Sequence, residues 1–269
     1  MLIGTVGTYI LQRELGRGAV GHVGRAKRAA DGKFVAVKIV NPRMDLLAQG
    51  MIGNISTRFK REAMNGLKLE HNHVVSVLDH GSFQRSNFLV MELALNSCRE
   101  LLDAAGKFST ADAAVIIDAC CQALAYLHAN GCIHRDVKPD NILKLQRGFV
   151  LGDLGIVKWS DLNPAFVSAG TITRDSVQLG SWFYMAPEQQ RAPHDAVEAI
   201  DIYALGVTWY ELLSGETLPP QYFAAGAVPD ATGIPELNDL IRQMTSFHAQ
   251  NRPAISSVLA VSRRFAGSR

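Results

Sequence analysis

The run His134-Arg135-Asp136-Val137-Lys138-Pro139-Asp140-Asn141, with Asp153-Leu154-Gly155 twelve positions beyond Asn141, sets acids, cations and a carboxamide between apolar stretches, Ile116 to Ile133 before it and Phe149 to Leu151 after it. A folding core has little use for such a run, because burying Asp, Arg, Lys and Asn costs free energy unless each is paired or holds a ligand. It therefore reads as an active site built on charge and hydrogen bonds. A second group lies near the start of the chain, in Gly16-Arg17-Gly18-Ala19-Val20-Gly21-His22-Val23. Glycines let a backbone approach a ligand closely and leave its N–H groups free to face phosphate oxygens. Lys38 closes the strand-like Val35-Ala36-Val37-Lys38, placing a cation at the end of an apolar alternation.

The elements that must position these groups can be read from periodicity and punctuation. Tyr9 to Leu15, Gly21 to Lys27, Phe34 to Val40, Val74 to His80 and Asn87 to Met91 predict strands. A dinucleotide fold would place a helix directly after the glycines, and here a strand follows. Thr57 to Glu70 has helical composition and carries Glu62; Arg58, Lys60 and Arg61 read as its solvated face. From Asn96 the character becomes helical: Leu101 to Ala105, Ala111 to Ala129, Ile200 to Leu213, Glu236 to Phe247 and Ala254 to Arg263. Asp112 and Gly131 bracket the long apolar helix, and Pro235 and Pro253 precede the last two. The expected class is α+β, with a β-rich part over residues 1–93 and an α-rich part over residues 94–269.

Composition agrees with a folded chain and excludes several classes. With 269 residues, 48% of them hydrophobic and 19% charged, the chain is long enough to bury a substantial core. A net charge of +2 gives no argument for nucleic acid as a partner. Cys98, Cys120, Cys121 and Cys132 lack the spacing of a zinc site; Cys120 and Cys121, neighbours inside an apolar helical pattern, predict packing, and a reducing cytoplasm is expected. The N-terminus has no leader pattern, and no run of the sequence suggests a membrane span.

With these motifs assembled, the sequence resembles a eukaryotic-like (Hanks-type) serine/threonine protein kinase from about Tyr9 to Phe265. The resemblance rests on ordered motifs: Gly16-x-Gly18-x-x-Gly21-x-Val23, Val35-Ala36-Val37-Lys38, His134-Arg135-Asp136, Asp153-Leu154-Gly155 and Ala186-Pro187-Glu188. It implies a bilobal fold, a five-stranded antiparallel N-lobe sheet with helix C above a mainly helical C-lobe, and ATP in the cleft. Lys38 would contact the ATP phosphates with Glu62 as its partner, and Asp136 would orient or deprotonate the acceptor hydroxyl. Lys138, of the type found in serine/threonine kinases, would steady the γ-phosphate, and Asn141 and Asp153 would hold Mg²⁺ or Mn²⁺ through hard oxygen donors. Met91 resembles the gatekeeper, Glu92 to Ala94 the hinge that bonds the adenine edge, and Val23, Ala36 and Leu143 the apolar positions around the base. Glu188 with Arg252 resembles a buried ion pair, and Asp201 the carboxylate that holds the catalytic-loop backbone.

The same resemblance implies regulation. Arg135 would meet a phosphorylated residue between Asp153 and Glu188, with Thr171 and Thr173 as first candidates and Ser181 where the family commonly has Thr. The partners implied are a protein with a Ser or Thr acceptor and a second copy of the chain for autophosphorylation. Two departures stand out: Leu154 replaces the usual Phe, and Gly66 replaces a larger apolar residue four positions after Glu62. Gly costs a helix about 1 kcal/mol relative to Ala, which predicts a mobile helix C. A pseudokinase and a small-molecule phosphotransferase are the competing readings; the presence of Lys38, Glu62, Asp136, Asn141 and Asp153 weighs against the first, and Ala186-Pro187-Glu188 with Arg252 against the second.

Overall fold

A computed structural model of the protein describes residues 1–18, 21–40, 66–84, 86–153, 182–191 and 197–267. Glu62, Leu154, Gly155, Thr171, Thr173 and Ser181 lie outside the described residues, as does the helix expected over Thr57–Glu70 apart from its last five positions. The described residues form two compact units, residues 1–94 and residues 95–267.

The first unit is an antiparallel sheet of β1 (Leu2–Ile3), β2 (Thr8–Gly18), β3 (Gly21–Arg28), β4 (Phe34–Val40), β5 (Val77–Phe83) and β6 (Ser86–Glu92), in the order β1-β2-β3-β4-β6-β5. The sequence predicts five of these strands; β1 is additional. Alternate residues of β4, Val35, Val37 and Ile39, join Leu2, Tyr9, Ala26, Phe88 and Val90 in one buried cluster. Each Val, Leu, Ile or Phe side chain among them contributes roughly 1.5–3 kcal/mol on burial.

What makes β1 a strand is a carboxylate some seventy positions away. Asp79 is fully buried and accepts from the backbone N–H groups of Thr5 (2.9 Å), Val6 (3.1 Å) and Gly7 (3.0 Å), and from the hydroxyls of Thr5 (2.6 Å) and Tyr9 (2.9 Å). A bridge between Gly4 and Gly81 then brings the two edge strands of the sheet together. Burial by itself would raise the Asp79 pKa, but the Thr5 and Tyr9 hydroxyls outweigh it and hold the group below its ordinary value. Burial and the Asp79 charge push Tyr9 up to about 12. Because Asp79 titrates lower when folded, its contribution is complete above the unfolded value of ~4 and is lost as pH falls through the lower folded value. Asp79→Asn should cost about 1–3 kcal/mol at pH 7, and the difference from the parent should shrink as pH drops below ~4. Urea midpoints measured from pH 7 to pH 3 check this; a pH-independent gap would refute it.

In the second unit, α1 (Cys98–Ala105) begins three residues earlier than the sequence reading expects. The cause is a capping box, in which the Ser97 hydroxyl accepts from the Glu100 N–H and the Glu100 carboxylate accepts from the Ser97 N–H. The long helix α2 (Thr110–Ala129) is capped by Ser109 and packs against α4 (Ala199–Ser214) and α7 (Ile255–Ala266). By length and composition α2 could cross a membrane, which the sequence reading did not expect of any run. Ten of its residues are buried inside this unit, so its all-round apolarity is that of a core helix. The helices α3 (Pro187–Arg191), α5 (Pro220–Ala224) and α6 (Pro235–Met244) complete the set. A small antiparallel sheet of β7 (Asn96–Ser97), β8 (Ile142–Leu145) and β9 (Gly148–Leu151) went unread in the sequence, and it is the element that builds the site.

Candidate active site

The pairing of β8 with β9 explains how Asn141 and Asp153 can act together. Ile142, at the start of β8, lies opposite Leu151, at the end of β9. The hairpin therefore returns Gly152 and Asp153 to the place where Asn141 left, and the Gly152 N–H donates to the Asn141 carbonyl at 2.8 Å. A Cβ at Gly152 would stand 2.7 Å from a Leu143 methyl, so a side chain there would displace Leu143. Asp153 itself adopts φ +50, a left-handed conformation costly for a residue with a side chain.

Ahead of the hairpin, the catalytic loop is held by hydrogen bonds from almost every side. Asp201, fully buried at the start of α4, accepts from the His134 N–H at 2.9 Å, the Arg135 N–H at 2.7 Å and His128 Nε2 at 2.8 Å. These donors compensate the desolvation of the carboxylate. His134 is 1% exposed, and its Nε2 lies 2.8 Å from the Gly152 carbonyl. A carbonyl only accepts, so Nε2 carries the proton and Nδ1 accepts from the Asp136 N–H at 3.3 Å. His134 is thus a packed residue that also joins the catalytic loop to the residue before Asp153.

Around Asp136 the partners are short-range and polar. Lys138 Nζ stands 3.4 Å from Asp136 Oδ2, and the lysine side chain is only 7% exposed. Asn141 Nδ2 donates both to the Asp136 carbonyl at 2.8 Å and to its Oδ2 at 2.9 Å. With its nitrogen so directed, Asn141 presents Oδ1 as the atom a cation would take. The three-residue turn Pro139–Asn141, closed by the Asn141 N–H on the Lys138 carbonyl at 3.0 Å, fixes the spacing between lysine and asparagine.

Gly16, Gly18, Gly21, Val23, Ala36, Lys38, Met91, Glu92 and Ala94 lie in the first unit, and the strand register relates most of them. Val23 lies opposite Lys38, Lys38 opposite Leu89, and Ala36 opposite Met91. Directly opposed residues share a face. Val23, Ala36, Lys38 and Met91 therefore lie on one face of the sheet, with the cluster of Val35, Val37 and Ile39 on the other. Gly16 pairs with Val23 and Gly18 with Gly21. A Cβ at Gly16 would meet nothing within 4 Å, so packing does not explain a glycine that weakens its strand. The register shift between Glu14 and Gly16 marks an irregularity in β2 of the kind glycine accommodates. Glu92 turns its side chain inward to accept from the Ser76 N–H at 2.9 Å, and Ala94 follows two residues later. Leu143, half-buried in β8, belongs to the second unit.

Comparison with known proteins decides the family. Residues 9–262 match the family model described as Protein kinase domain. The chain belongs to the protein kinase family. The kinase is 36% identical over 220 residues to serine/threonine-protein kinase PknA of Mycobacterium tuberculosis, covering 78% of this chain and 47% of that protein. It is 34% identical over 219 residues to serine/threonine-protein kinase PrkC of Bacillus subtilis, covering 80% of this chain and 32% of PrkC. The chain thus spans half or less of the length of these relatives. Among solved structures, the PknI kinase domain of Mycobacterium tuberculosis superposes with a TM-score of 0.67 at 22% identity over 96% of both chains. Rad53 in complex with AMP-PNP superposes at 0.74 and 23% identity, over 98% of this chain and 66% of that one. At such identities these two speak for the fold.

Two further clusters in this kinase lie beside the catalytic loop. Arg252, its side chain fully buried, grips Glu188 with both arms, Nη1 at 2.5 Å and Nη2 at 2.9 Å. The second cluster escaped the sequence reading. Arg99 on α1 donates to Glu211 at 2.8 Å and to the Tyr184 hydroxyl at 2.9 Å, with Asp140 of the catalytic loop at 3.7 Å. Tyr184 in turn donates to Glu211. Burial, then the Glu211 charge, drives the Tyr184 pKa far above its ordinary value, so the phenol stays protonated and keeps donating. Its partners stand 27 and 85 positions away, and no local pattern announces them.

Proposed function

We propose that this chain transfers the γ-phosphoryl group of ATP to a serine or threonine hydroxyl of a protein. The observation that carries the proposal is the Asp136 carboxylate held between Lys138 Nζ and Asn141 Nδ2, next to the β8–β9 hairpin that returns Asp153 to Asn141. Asp136 orients the acceptor hydroxyl. As the hydroxyl oxygen bonds to phosphorus, the bond from phosphorus to the ADP oxygen breaks and the hydroxyl proton passes to Asp136. Lys138 offsets the negative charge that gathers on the transferred group, the main requirement of this reaction. Asn141 and Asp153 supply hard oxygen donors that fit Mg²⁺ or Mn²⁺, and such an ion, when bound, would neutralise phosphate charge. The face carrying Val23, Ala36 and Met91, with Lys38 beside them and the strand glycines Gly16, Gly18 and Gly21 nearby in β2 and β3, supports adenine and phosphate binding.

Incubation with γ-labelled ATP, Mg²⁺ and a basic protein should put label on serine or threonine, and a chelator should abolish it. No transfer under these conditions, with nucleotide binding retained, would favour the pseudokinase reading. The same incubation tests regulation. Mass spectrometry should find phosphate on Thr171 or Thr173, at a rate that rises with kinase concentration if a second copy delivers it. Phosphate only outside the segment between Asp153 and Glu188 would remove Arg135 as its receiver.

A further inference from the structure

The peptide units around Asp136 are each fixed by a side chain, and one of those side chains has no role in the description so far. Asp201 holds the N–H of His134 and of Arg135, which fixes the two units leading into the loop. Asn141 Nδ2 holds the Asp136 carbonyl and so the unit that follows. Between them lies the unit made of the Arg135 carbonyl and the Asp136 N–H. His134 Nδ1 takes the N–H at 3.3 Å, and Gln189 Nε2 donates to the carbonyl at 3.1 Å. Arg135 has φ +66, a conformation that a non-glycine residue keeps only where its surroundings impose it. Rotation of this one peptide plane would change ψ of Arg135 and φ of Asp136, and φ of Asp136 sets the direction in which its side chain leaves the loop. Gln189 stands on α3, directly after Ala186-Pro187-Glu188, while the other holders stand in the catalytic loop or on α4.

We propose that Gln189 is a positioning residue for Asp136. Its carboxamide sets the plane of the Arg135–Asp136 peptide, and so ties the aim of the Asp136 carboxylate to the segment that begins at Ala186. The inference rests on the kinase reading for its effect on turnover, and on hydrogen bonding alone for its effect on the loop. A carboxamide is required as a donor here, which makes the isosteric acid an informative change. Gln189→Glu keeps the size of the side chain, cannot donate, and turns a carboxylate toward the Arg135 carbonyl. Gln189→Lys restores a donor with sufficient reach.

The test measures steady-state kinetics, thermal midpoint and hydrogen exchange at the Asp136 amide in the parent and both variants. Gln189→Glu should lower kcat roughly tenfold to a hundredfold with KM values unchanged. It should also speed exchange at the Asp136 amide by about tenfold or more without moving the thermal midpoint, consistent with local rather than global opening. Gln189→Lys should recover most of both. Unchanged exchange at Asp136 in Gln189→Glu, or a loss that Gln189→Lys does not restore, would overturn the proposal. A parent without turnover would overturn the kinase reading instead, and the exchange comparison would still decide whether Gln189 pins the peptide.

Discussion

Asp136→Asn should reduce kcat by about three orders of magnitude, within the roughly 10²–10⁴ that a positioned general base contributes. Asparagine is the informative replacement because the site offers it nearly the same contacts. Asn141 Nδ2, now 2.9 Å from Oδ2, can still donate to the new carboxamide oxygen, and the Asp136 backbone keeps its bonds to His134 and Asn141. Two things are lost: the base that takes the hydroxyl proton, and the negative charge 3.4 Å from Lys138 Nζ. The lysine is largely buried, so the loss of its counter-charge should lower the thermal midpoint modestly as well. If binding of substrate precedes and is independent of proton transfer, KM for ATP should stay near the parent value, which places the effect in the chemical step. Measuring kcat, KM and the far-ultraviolet circular dichroism of the two proteins checks this. A fall of less than about tenfold, with the fold intact, would show that Asp136 does not serve as the base.

How much of this was legible beforehand follows the range over which each interaction acts. The catalytic run could be read because its chemistry is local: Asp136, Lys138 and Asn141 sit within six positions, and a three-residue turn suffices to aim them. Strands β2, β3, β4 and β6 showed in their alternation to within a few residues. The sixth strand was invisible, because Leu2–Ile3 is too short for a pattern and depends on Asp79 over 70 positions away. Helix α1 was read late because the Ser97–Glu100 capping box was overlooked, although that signal was present in the sequence. Arg99 and Glu211 are 112 positions apart, and nothing in either neighbourhood distinguishes them from surface charges. Gln189 is a similar case: its neighbours Pro187 and Glu188 were read from their motif, but the carbonyl it serves lies 54 positions upstream.

Arg252→Ala should lower the stability of the helical unit by about 3–5 kcal/mol, given about 1–3 kcal/mol for each buried acceptor left without its donor, a large share of the ~5–15 kcal/mol that holds a typical domain. The loss does not come chiefly from a stranded Glu188, whose side chain is 30% exposed and can recruit water. It comes from the other end. Arg252 also donates to the carbonyls of Ser246 at 2.9 Å, Ala199 at 2.9 Å and Phe247 at 3.4 Å, and its guanidinium lies 5.0 Å from the Tyr203 ring. Alanine leaves those carbonyls without their donor and opens space at the start of α4, where Asp201 holds the catalytic loop. Arg252→Lys should cost less, since an ammonium can serve some of these acceptors, but it cannot reproduce the two-armed grip on Glu188. Glu188 and Gln189 are neighbours on α3, so a loosened Glu188 also loosens the donor to the Arg135 carbonyl. Activity per folded molecule should therefore fall in Arg252→Lys, beyond the fraction lost to unfolding. Urea denaturation combined with active-site titration separates the two effects; a destabilisation below about 1 kcal/mol in Arg252→Ala would mean that this buried arginine does not hold α3 to the rest of the unit.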